Sequence, residues 1–152
     1  GYGIKDNVMG LSLQKSAKSP DTEADMGEHF FTYALLPHAG GLGEETFTQG
    51  ILLNQPALCI AGAVKEQVGR FIKKNSDAVK IDAVKQAEDG DGFVVHMHEI
   101  TGGRASVEIT SDYPVRAYAA CNLLEEYDGK TEGNTIHADF GPFEIKCFRI
   151  WM

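Results

Sequence analysis

The sequence predicts an all-β fold, a β-sandwich, and three observations support this prediction. Apolar and polar residues alternate in short runs along the second half of the chain, as they do in half-buried strands. Clusters rich in Gly and Asp separate these runs at regular spacing. Apolar residues make up 43% of the 152 residues, which is enough for a packed core. Short strands joined by frequent turns are typical of sandwiches.

The predicted strands are clearest after Asp77. At residues 79–83 the apolar side chains alternate with Lys80 and Asp82, and similar patterns recur further along the chain. The acidic, glycine-containing turn at residues 88–92 predicts a hairpin. The remaining predicted strands and turns are strands at residues 93–98, 105–109, 115–124, 135–140 and 143–151, with turns at 101–103 and 128–134.

The first part of the chain is organised around residues 28–36, EHFFTYALL. Aromatic residues are dense there, and both faces of an extended chain would be apolar, so we predict a central strand covered on both sides. Pro37 would end its pairing, because proline lacks a backbone donor. A second strand is predicted at residues 8–13, before a polar loop with a Pro20–Asp21 turn.

The junction between the two parts is less regular. We place a domain boundary near residue 55, because the residue before Pro56 is pushed into an extended shape. Residues 65–75 have helical spacing but contain Gly69, so helix and strand both stay open. The glycine-rich residues 40–45 predict a flexible segment, and residues 47–53 predict either a short strand or a helical turn. Residues 58–64 predict a buried strand.

The chain is acidic, with a formal net charge of −8. An acidic surface repels phosphate backbones and anionic lipid, so we expect neither nucleic acid nor membrane as a partner. No apolar run approaches the ~20 residues of a bilayer span, and no basic-then-apolar leader opens the chain. Because strand-like sequence begins close to Gly1, we expect a fragment of a longer protein.

Cysteines and histidines supply candidate ligands. The three cysteines, Cys59, Cys121 and Cys147, lie far apart in apolar runs, so buried free thiols in a reducing compartment are expected. A disulfide between two of them stays open. Two pairs of side chains could hold zinc if the fold brought them together, but solvated polar faces are favoured: His96 with His98, and His137 with Asp139.

Candidate acid and base residues cluster in the first part of the chain. His29 and His38 flank the predicted central strand, and Glu28 would point to the opposite face from His29, which we expect to bond a backbone group. A retaining glycosidase needs two carboxyl groups about 5–5.5 Å apart. One loop carries four acids, for which solvation and turn capping are the favoured roles: Asp21, Glu23, Asp25 and Glu28.

Tyrosine and tryptophan side chains could stack on sugar rings. Tyr113 and Tyr127 lie near predicted turns and are the better candidates for binding. Tyr118 and Trp151 lie at strand spacing, so we predict that they belong to the core.

The stretch PDTEADMGEHFFTYALLPHAG, residues 20–40, resembles the C-terminal β region of glycoside hydrolase family 38, the α-mannosidases. In that family a proline, acidic residues and a glycine precede E-H-x-F-T-Y and a P-H. Further similar stretches lie in order over nearly the whole chain: residues 2–7, 11–13, 53–56, 84–90 and 141–146.

The resemblance implies the C-terminal part of a zinc-dependent, retaining enzyme that hydrolyses terminal α-mannosides. Residues 1–55 would be the last strands of a large β-sandwich, and residues 56–152 a smaller terminal β-sandwich with a strand near Phe71. The family's aspartate nucleophile and its zinc lie in an N-terminal α/β domain, so no catalytic, cofactor-binding or metal-ligating residue is expected here. This region would brace that catalytic domain, which binds the α-mannoside, in a cytoplasmic enzyme.

Two other functions stay open. A carbohydrate-binding β-sandwich module would use exposed aromatic residues, and a structural, adhesion-type sandwich would need no ligand. Under the α-mannosidase interpretation, the chain alone is expected to be inactive. It is also expected to self-associate, because strands at residues 1–53 that are apolar on both faces would be only part of a sheet.

Overall fold

The structure, a computed structural model, describes residues 1–59, 61–62 and 69–152. The chain forms two compact units, Gly1–Ala39 and Gly40–Met152. Strands arranged in antiparallel sheets dominate the described residues, which contain one helix. The all-β prediction is therefore confirmed.

The unit Gly1–Ala39 contains one hairpin. Strand β1 (Tyr2–Lys5) pairs antiparallel with β2 (Val8–Leu11), and this confirms the strand that the sequence predicts at residues 8–13. Asp6 and Asn7 form the two-residue loop, with φ of 50° and 62°. Two positive φ values match the twist of a tight hairpin, and short polar residues tolerate them best.

The predicted central strand at residues 28–36 is wrong. These residues lie in irregular backbone and belong to none of the sheets. Phe30 is 88% exposed and Leu35 is 73% exposed. A strand is stabilised by hydrogen bonds to a neighbour, and β1 and β2 pair only with each other within the described part of the chain. High strand propensity alone therefore does not produce a strand here.

The second unit begins with helix α1 (Glu44–Asn54), which resolves the choice between strand and helical turn for residues 47–53. Glu44 and Glu45 lie in its first turn, where negative charge complements the helix dipole. None of its residues is buried. The buried strand predicted at residues 58–64 falls partly outside the described residues, and Leu58 within them is 86% exposed.

Eight strands follow among the described residues of the second unit. They form a five-stranded sheet in the order β4-β5-β10-β7-β8 and a three-stranded sheet in the order β3-β6-β9, all with antiparallel pairing. The strands are β3 (Lys73–Lys74), β4 (Val79–Gln86), β5 (Phe93–Glu99), β6 (Ala105–Thr110), β7 (Ala117–Cys121), β8 (Thr131–Glu132), β9 (Ile136–Phe140) and β10 (Ile145–Trp151).

These strands confirm most of the sequence predictions, with shifted ends. The prediction over residues 115–124 holds only for β7, because the chain turns back at Glu125, where φ is 66°. Of the ambiguous residues 65–75, the part at 65–68 lies outside the described residues. The strand implied near Phe71 is the two-residue β3.

The main core lies between the two sheets. Alternate residues of β5 and β10 point towards the inward residues of β6 and β9, and the two sets pack together in one shared cluster. Its buried members are Val79, Val95, Met97, Phe148 and Ile150 from the larger sheet, and Val107, Ile109, Ile136 and Phe140 from the smaller one.

Two glycines shape the turn that leads into β5. Gly90 and Gly92 have φ of 80° and 97°, where residues with a Cβ are strained. A Cβ on Gly92 would lie 2.6 Å from the carbonyl oxygen of Ile150, whereas the nearest atom to one on Gly90 is Gln86 Nε2 at 3.9 Å. Only Gly92 therefore allows the turn to approach the backbone of β10.

We expect Gly90→Ala to lower the unfolding free energy by about 1–2 kcal/mol, the strain of an L residue at positive φ. Gly92→Ala should cost about 1–3 kcal/mol more, because its methyl group also displaces backbone atoms of β10. Urea unfolding of the two variants measures the difference. Equal destabilisation would mean that the close approach to β10 is unimportant.

Candidate functional site

The outer face of β10 carries a buried polar cluster. Phe148 and Ile150 point into the main core, so Cys147, Arg149 and Trp151 point away from it. These three residues are nonetheless only 4%, 3% and 6% exposed. Arg149 and Trp151, together with the side chains that contact them, form what we call the outer cluster. The contacting residues are Asp89, Asp91, Tyr127 and Lys130.

Arg149 is fully compensated in this environment. Its Nε donates to the carbonyl oxygen of Asp91 at 3.0 Å, and its Nη2 forms an ion pair with Asp89. The hydrogen bond from Arg149 lowers the pKa of Asp89, and the same bond raises the pKa of Arg149. Removing the partners of a buried guanidinium would leave its charge uncompensated, at a cost of about 3–5 kcal/mol.

Trp151 is not available for stacking on a sugar. Its Nε1 donates to Asp91 Oδ2 at 2.9 Å, and Tyr127 meets its ring edge-on with the centroids 5.2 Å apart. Lys130 Nζ lies 3.8 Å from its ring centroid, and Arg149 Cζ lies 5.2 Å from it. Both are cation–π contacts that cover the indole.

The other aromatic candidates lie apart from one another. Tyr118 packs against the main core, as its strand spacing predicts. Tyr113 is 37% exposed and lies beside Phe71, with their ring centroids 6.1 Å apart. Tyr127 is half-buried within the outer cluster. These three tyrosines therefore do not form a row of open aromatic rings.

The histidine pairs do not converge. His96 Nδ1 lies 3.1 Å from Cys147 Sγ, and His98 Nδ1 lies 2.7 Å from Asp82 Oδ2. On the smaller sheet, His137 Nδ1 lies 3.6 Å from Glu108 Oε1. Asp139 accepts a hydrogen bond from Ser106 Oγ at 2.5 Å. Within residues 1–59, 61–62 and 69–152, no three such side chains are grouped to hold a metal ion.

The acidic loop of the first unit is exposed and turn-forming. Asp21 Oδ1 accepts the backbone N–H of Glu23 at 2.9 Å, which is the geometry of an Asx turn. His29 Nε2 contacts the carbonyl oxygen of Asp25 at 2.9 Å, as expected for a histidine that bonds backbone. Glu28 and His38 are exposed, and the structure shows no catalytic pairing for either.

Glu99 is a fully buried carboxylate that the sequence analysis did not single out. Its side chain accepts backbone N–H groups from Thr101 at 2.7 Å, Gly102 at 2.8 Å and Phe143 at 3.0 Å, together with the Thr101 hydroxyl. Burial raises the pKa of Glu99, but these hydrogen bonds outweigh it and lower the pKa to about 2. A carboxylate that is already ionised and fully bonded cannot act as a general acid.

A groove of about 790 Å³ lies beside β7. Tyr118 and Phe148 form part of its apolar lining. Polar lining comes from Asn122, Glu126 and Asp128 of the loop after β7, with Tyr127 beside them, and from Thr131 of β8 and His137 of β9. The lining combines an aromatic ring with amide and carboxylate groups, which are residue types that bind polar ligands.

The outer cluster had one detectable signal in the sequence. Cys147, Arg149 and Trp151 alternate with Phe148 and Ile150 in the run CFRIW. A strand with apolar residues on one face and a cysteine, an arginine and a tryptophan on the other indicates a second buried face. The sequence does not reveal which residues bind Arg149, because the Asp89–Asp91 turn lies 58 to 60 residues away along the chain.

Comparison with known proteins identifies the relatives of this chain. Residues 78–148 match the family described as the glycosyl hydrolases family 38 C-terminal beta sandwich domain. The chain is 35% identical to Alpha-mannosidase G of Dictyostelium discoideum over 98% of its own length. It is 31% identical to Alpha-mannosidase 2C1 of Mus musculus over 96% of its length. Residues 78–148 belong to the C-terminal β-sandwich domain of glycosyl hydrolase family 38.

This family 38 region represents a small part of its relatives. It covers 15% of each of those two proteins and 16% of the Alpha-mannosidase of Saccharomyces cerevisiae, to which it is 27% identical over 99% of the chain. No solved structure matches it. The resemblance seen in the sequence is confirmed. A search of the described helical residues finds no helix long and apolar enough to cross a membrane.

We expect Glu99→Gln to lower the midpoint of thermal unfolding by roughly 5–15 °C near neutral pH. Because the folded pKa lies below the ordinary value of 4.5, the stabilisation from the charge is complete above about pH 5. It is lost as the pH falls towards 2, so the wild type and the variant should converge there. Unfolding at several pH values measures this difference.

Glu132→Gln, on the exposed strand β8, serves as the control for this experiment. It should change neither the midpoint nor its pH dependence by a comparable amount. A difference between wild type and Glu99→Gln that stays constant down to pH 2 would contradict the role assigned to the Glu99 charge.

Proposed function

We propose that this chain is the non-catalytic C-terminal β region of an α-mannosidase and that it braces the catalytic domain of that enzyme. The observation that carries the proposal is the alignment: nearly the whole chain matches proteins named alpha-mannosidases, yet it covers only 15% of each of the two described above. The remaining length of such a protein is ample for a catalytic domain. In this proposal that domain binds and hydrolyses terminal α-mannosides with retention.

The non-catalytic role is supported by the uses that the acidic residues already have. Asp89 pairs with Arg149, and Glu99 is bonded by four donors. His96, His98, His137 and Asp139 each contact a different partner, so the described residues do not fit a zinc site. We therefore assign the family's zinc and its nucleophile to the rest of the enzyme.

The bracing role is supported by the exposed apolar side chains of Gly1–Ala39. Tyr2 is 86% exposed, Phe30 88%, Tyr33 70% and Leu35 73%. Such a density of exposed apolar groups is unfavourable in water and is typical of a surface that another body covers. In the proposed enzyme, residues 1–55 belong to a large sandwich and residues 56–152 form the small terminal sandwich.

A cytoplasmic location is part of the same proposal. Cys59, Cys121 and Cys147 are all free thiols in the structure. Free thiols persist in reducing compartments, whereas secreted proteins usually pair their cysteines.

A carbohydrate-binding module is the second candidate, and the groove beside β7 favours it. Tyr127 and the polar side chains of the following loop could contact the hydroxyl groups and the ring face of a sugar. The covered indole of Trp151 argues against an aromatic binding platform. Bracing is therefore the preferred function.

The isolated chain should show no α-mannosidase activity, with or without added zinc, because the proposed nucleophile lies outside it. A chromogenic α-mannoside assay measures this. Turnover above the blank that depends on zinc and survives repeated purification would contradict the assignment of chemistry to the rest of the enzyme.

The isolated chain should also self-associate, because many apolar side chains of its first unit are exposed. We expect light scattering to give a mass above the monomer, with the contact through residues 8–13 or 28–36. If the contact runs through residues 28–36, replacing Phe30, Tyr33 and Leu35 by Ser should restore the monomer.

Serine at three exposed apolar positions of the second unit is the matched control: Leu58, Leu123 and Leu124. These changes should leave self-association unaltered. Calorimetry with mannobiose separates the two candidate functions. A monomer that binds mannobiose would favour the carbohydrate-binding module, whereas an oligomer without sugar affinity would support the brace.

A further inference from the structure

Two cysteines that are distant in sequence lie side by side in the five-stranded sheet. Cys121 of β7 is the direct cross-strand partner of Cys147 of β10. Residues directly opposite in an antiparallel pair point to the same face, with Cα atoms about 4.5–5.5 Å apart. Both thiols are free. Cys121 packs against the small buried cluster that contains Cys147, and both line one groove.

We propose that Cys121 and Cys147 form a reversible disulfide, making the β7–β10 pair a thiol-modification site that small disulfides such as oxidised glutathione can close. The cross-strand Cα separation falls within the range of about 4.4–6.8 Å seen in disulfides. This inference does not depend on the proposed function.

The geometry gives the two thiols different roles. Cys121 is half-buried and borders a groove lined by Leu123, Leu124 and Ile145, so a small disulfide can reach it. Cys147 is 4% exposed, and its Sγ lies 3.1 Å from His96 Nδ1. Cys121 therefore meets the oxidant first, and Cys147 completes the bond from inside with His96 as its proton acceptor.

The reaction is two thiol–disulfide exchanges. The Cys121 sulfur, after losing its proton to water, attacks one sulfur of oxidised glutathione, and glutathione thiolate leaves with its electron pair. Cys147 then gives its proton to His96 Nδ1 and attacks the Cys121 sulfur of the mixed disulfide, so a second glutathione leaves and is protonated. The two protein thiols are oxidised, and one glutathione disulfide is reduced to two thiols.

Strand β7 can make the small movement that closure requires. Cβ atoms opposite each other in a sheet lie about 4.5–5.5 Å apart, whereas those of a disulfide lie about 3.5–4.5 Å apart. Among the described residues, β7 is paired on its outer side with the two-residue strand β8 and through one bridge between Cys121 and Tyr127. Because Cys121 is the last residue of β7, a local tilt of its Cα–Cβ bond towards Cys147 closes the remaining gap of roughly 1 Å without shortening the β7–β10 hydrogen bonds.

The test exposes the folded chain to oxidised glutathione at mildly alkaline pH and maps its cysteines by mass spectrometry without reduction. Alkaline conditions are used because burial raises the pKa of the Cys121 thiol to about 11. In a Cys59→Ser background, the expected product is two hydrogens lighter, links Cys121 to Cys147, and returns to the starting mass with excess thiol.

Three variants in that background keep the proposal falsifiable. Cys147→Ser should stop at a glutathione adduct on Cys121, and Cys121→Ser should gain an adduct at least roughly tenfold more slowly, because Cys147 is buried. His96→Gln should form the first adduct at the normal rate but slow closure about tenfold or more. Circular dichroism confirms that each variant is folded before oxidation.

Two results would overturn the proposal. One is that a chain with both thiols accumulates a stable glutathione adduct on Cys121, or fails to react with oxidised glutathione under conditions in which the Cys147→Ser variant reacts. The other is linkage of Cys59 to either thiol in the folded wild-type chain in preference to the Cys121–Cys147 bond.

Discussion

The pairing of β10 with β5 on one edge and β7 on the other holds the five-stranded sheet together. Strand β10 is also covered on both faces. Phe148 and Ile150 fill the main core, while Arg149 and Trp151 are buried beneath the outer cluster. Each face relies on a different interaction, apolar burial on one and paired charge on the other, so β10 is fixed in register as well as in position.

Charge in this acidic chain is largely used for structure. Glu99 holds the turn after β5 and the start of β10 in one network, and Asp112 accepts the backbone N–H of Arg70 at 2.7 Å beside Lys73. Glu125 is 8% exposed and accepts the backbone N–H of Glu88 at 2.8 Å and the Lys85 ammonium. The Lys85 hydrogen bond lowers the pKa of Glu125. Carboxylates of this kind organise loops, which is consistent with the proposed bracing role.

The sequence was most informative where structure depends on local pattern. The alternation after Asp77 predicted the strands of the second unit, because period-two burial is written into consecutive residues. Residues 28–36 are also rich in residues that favour strands, but they form no strand. A strand also needs a hydrogen-bonded neighbour, which composition does not reveal. The polar networks of Glu99 and Arg149 escaped prediction for a related reason: their donors and acceptors meet only after β5 and β10 are aligned.

The position of β10 within its sheet has a consequence for how the protein is made. A ribosome releases β4, β5 and β7 well before residues 145–151. Until β10 emerges, β5 and β7 have no neighbour on the edges that will later pair with β10. Glu99 also lacks the backbone N–H of Phe143 as a donor. The five-stranded sheet is therefore completed late, with contacts between residues far apart in sequence, and the nascent chain exposes two open strand edges that folding assistants can shield.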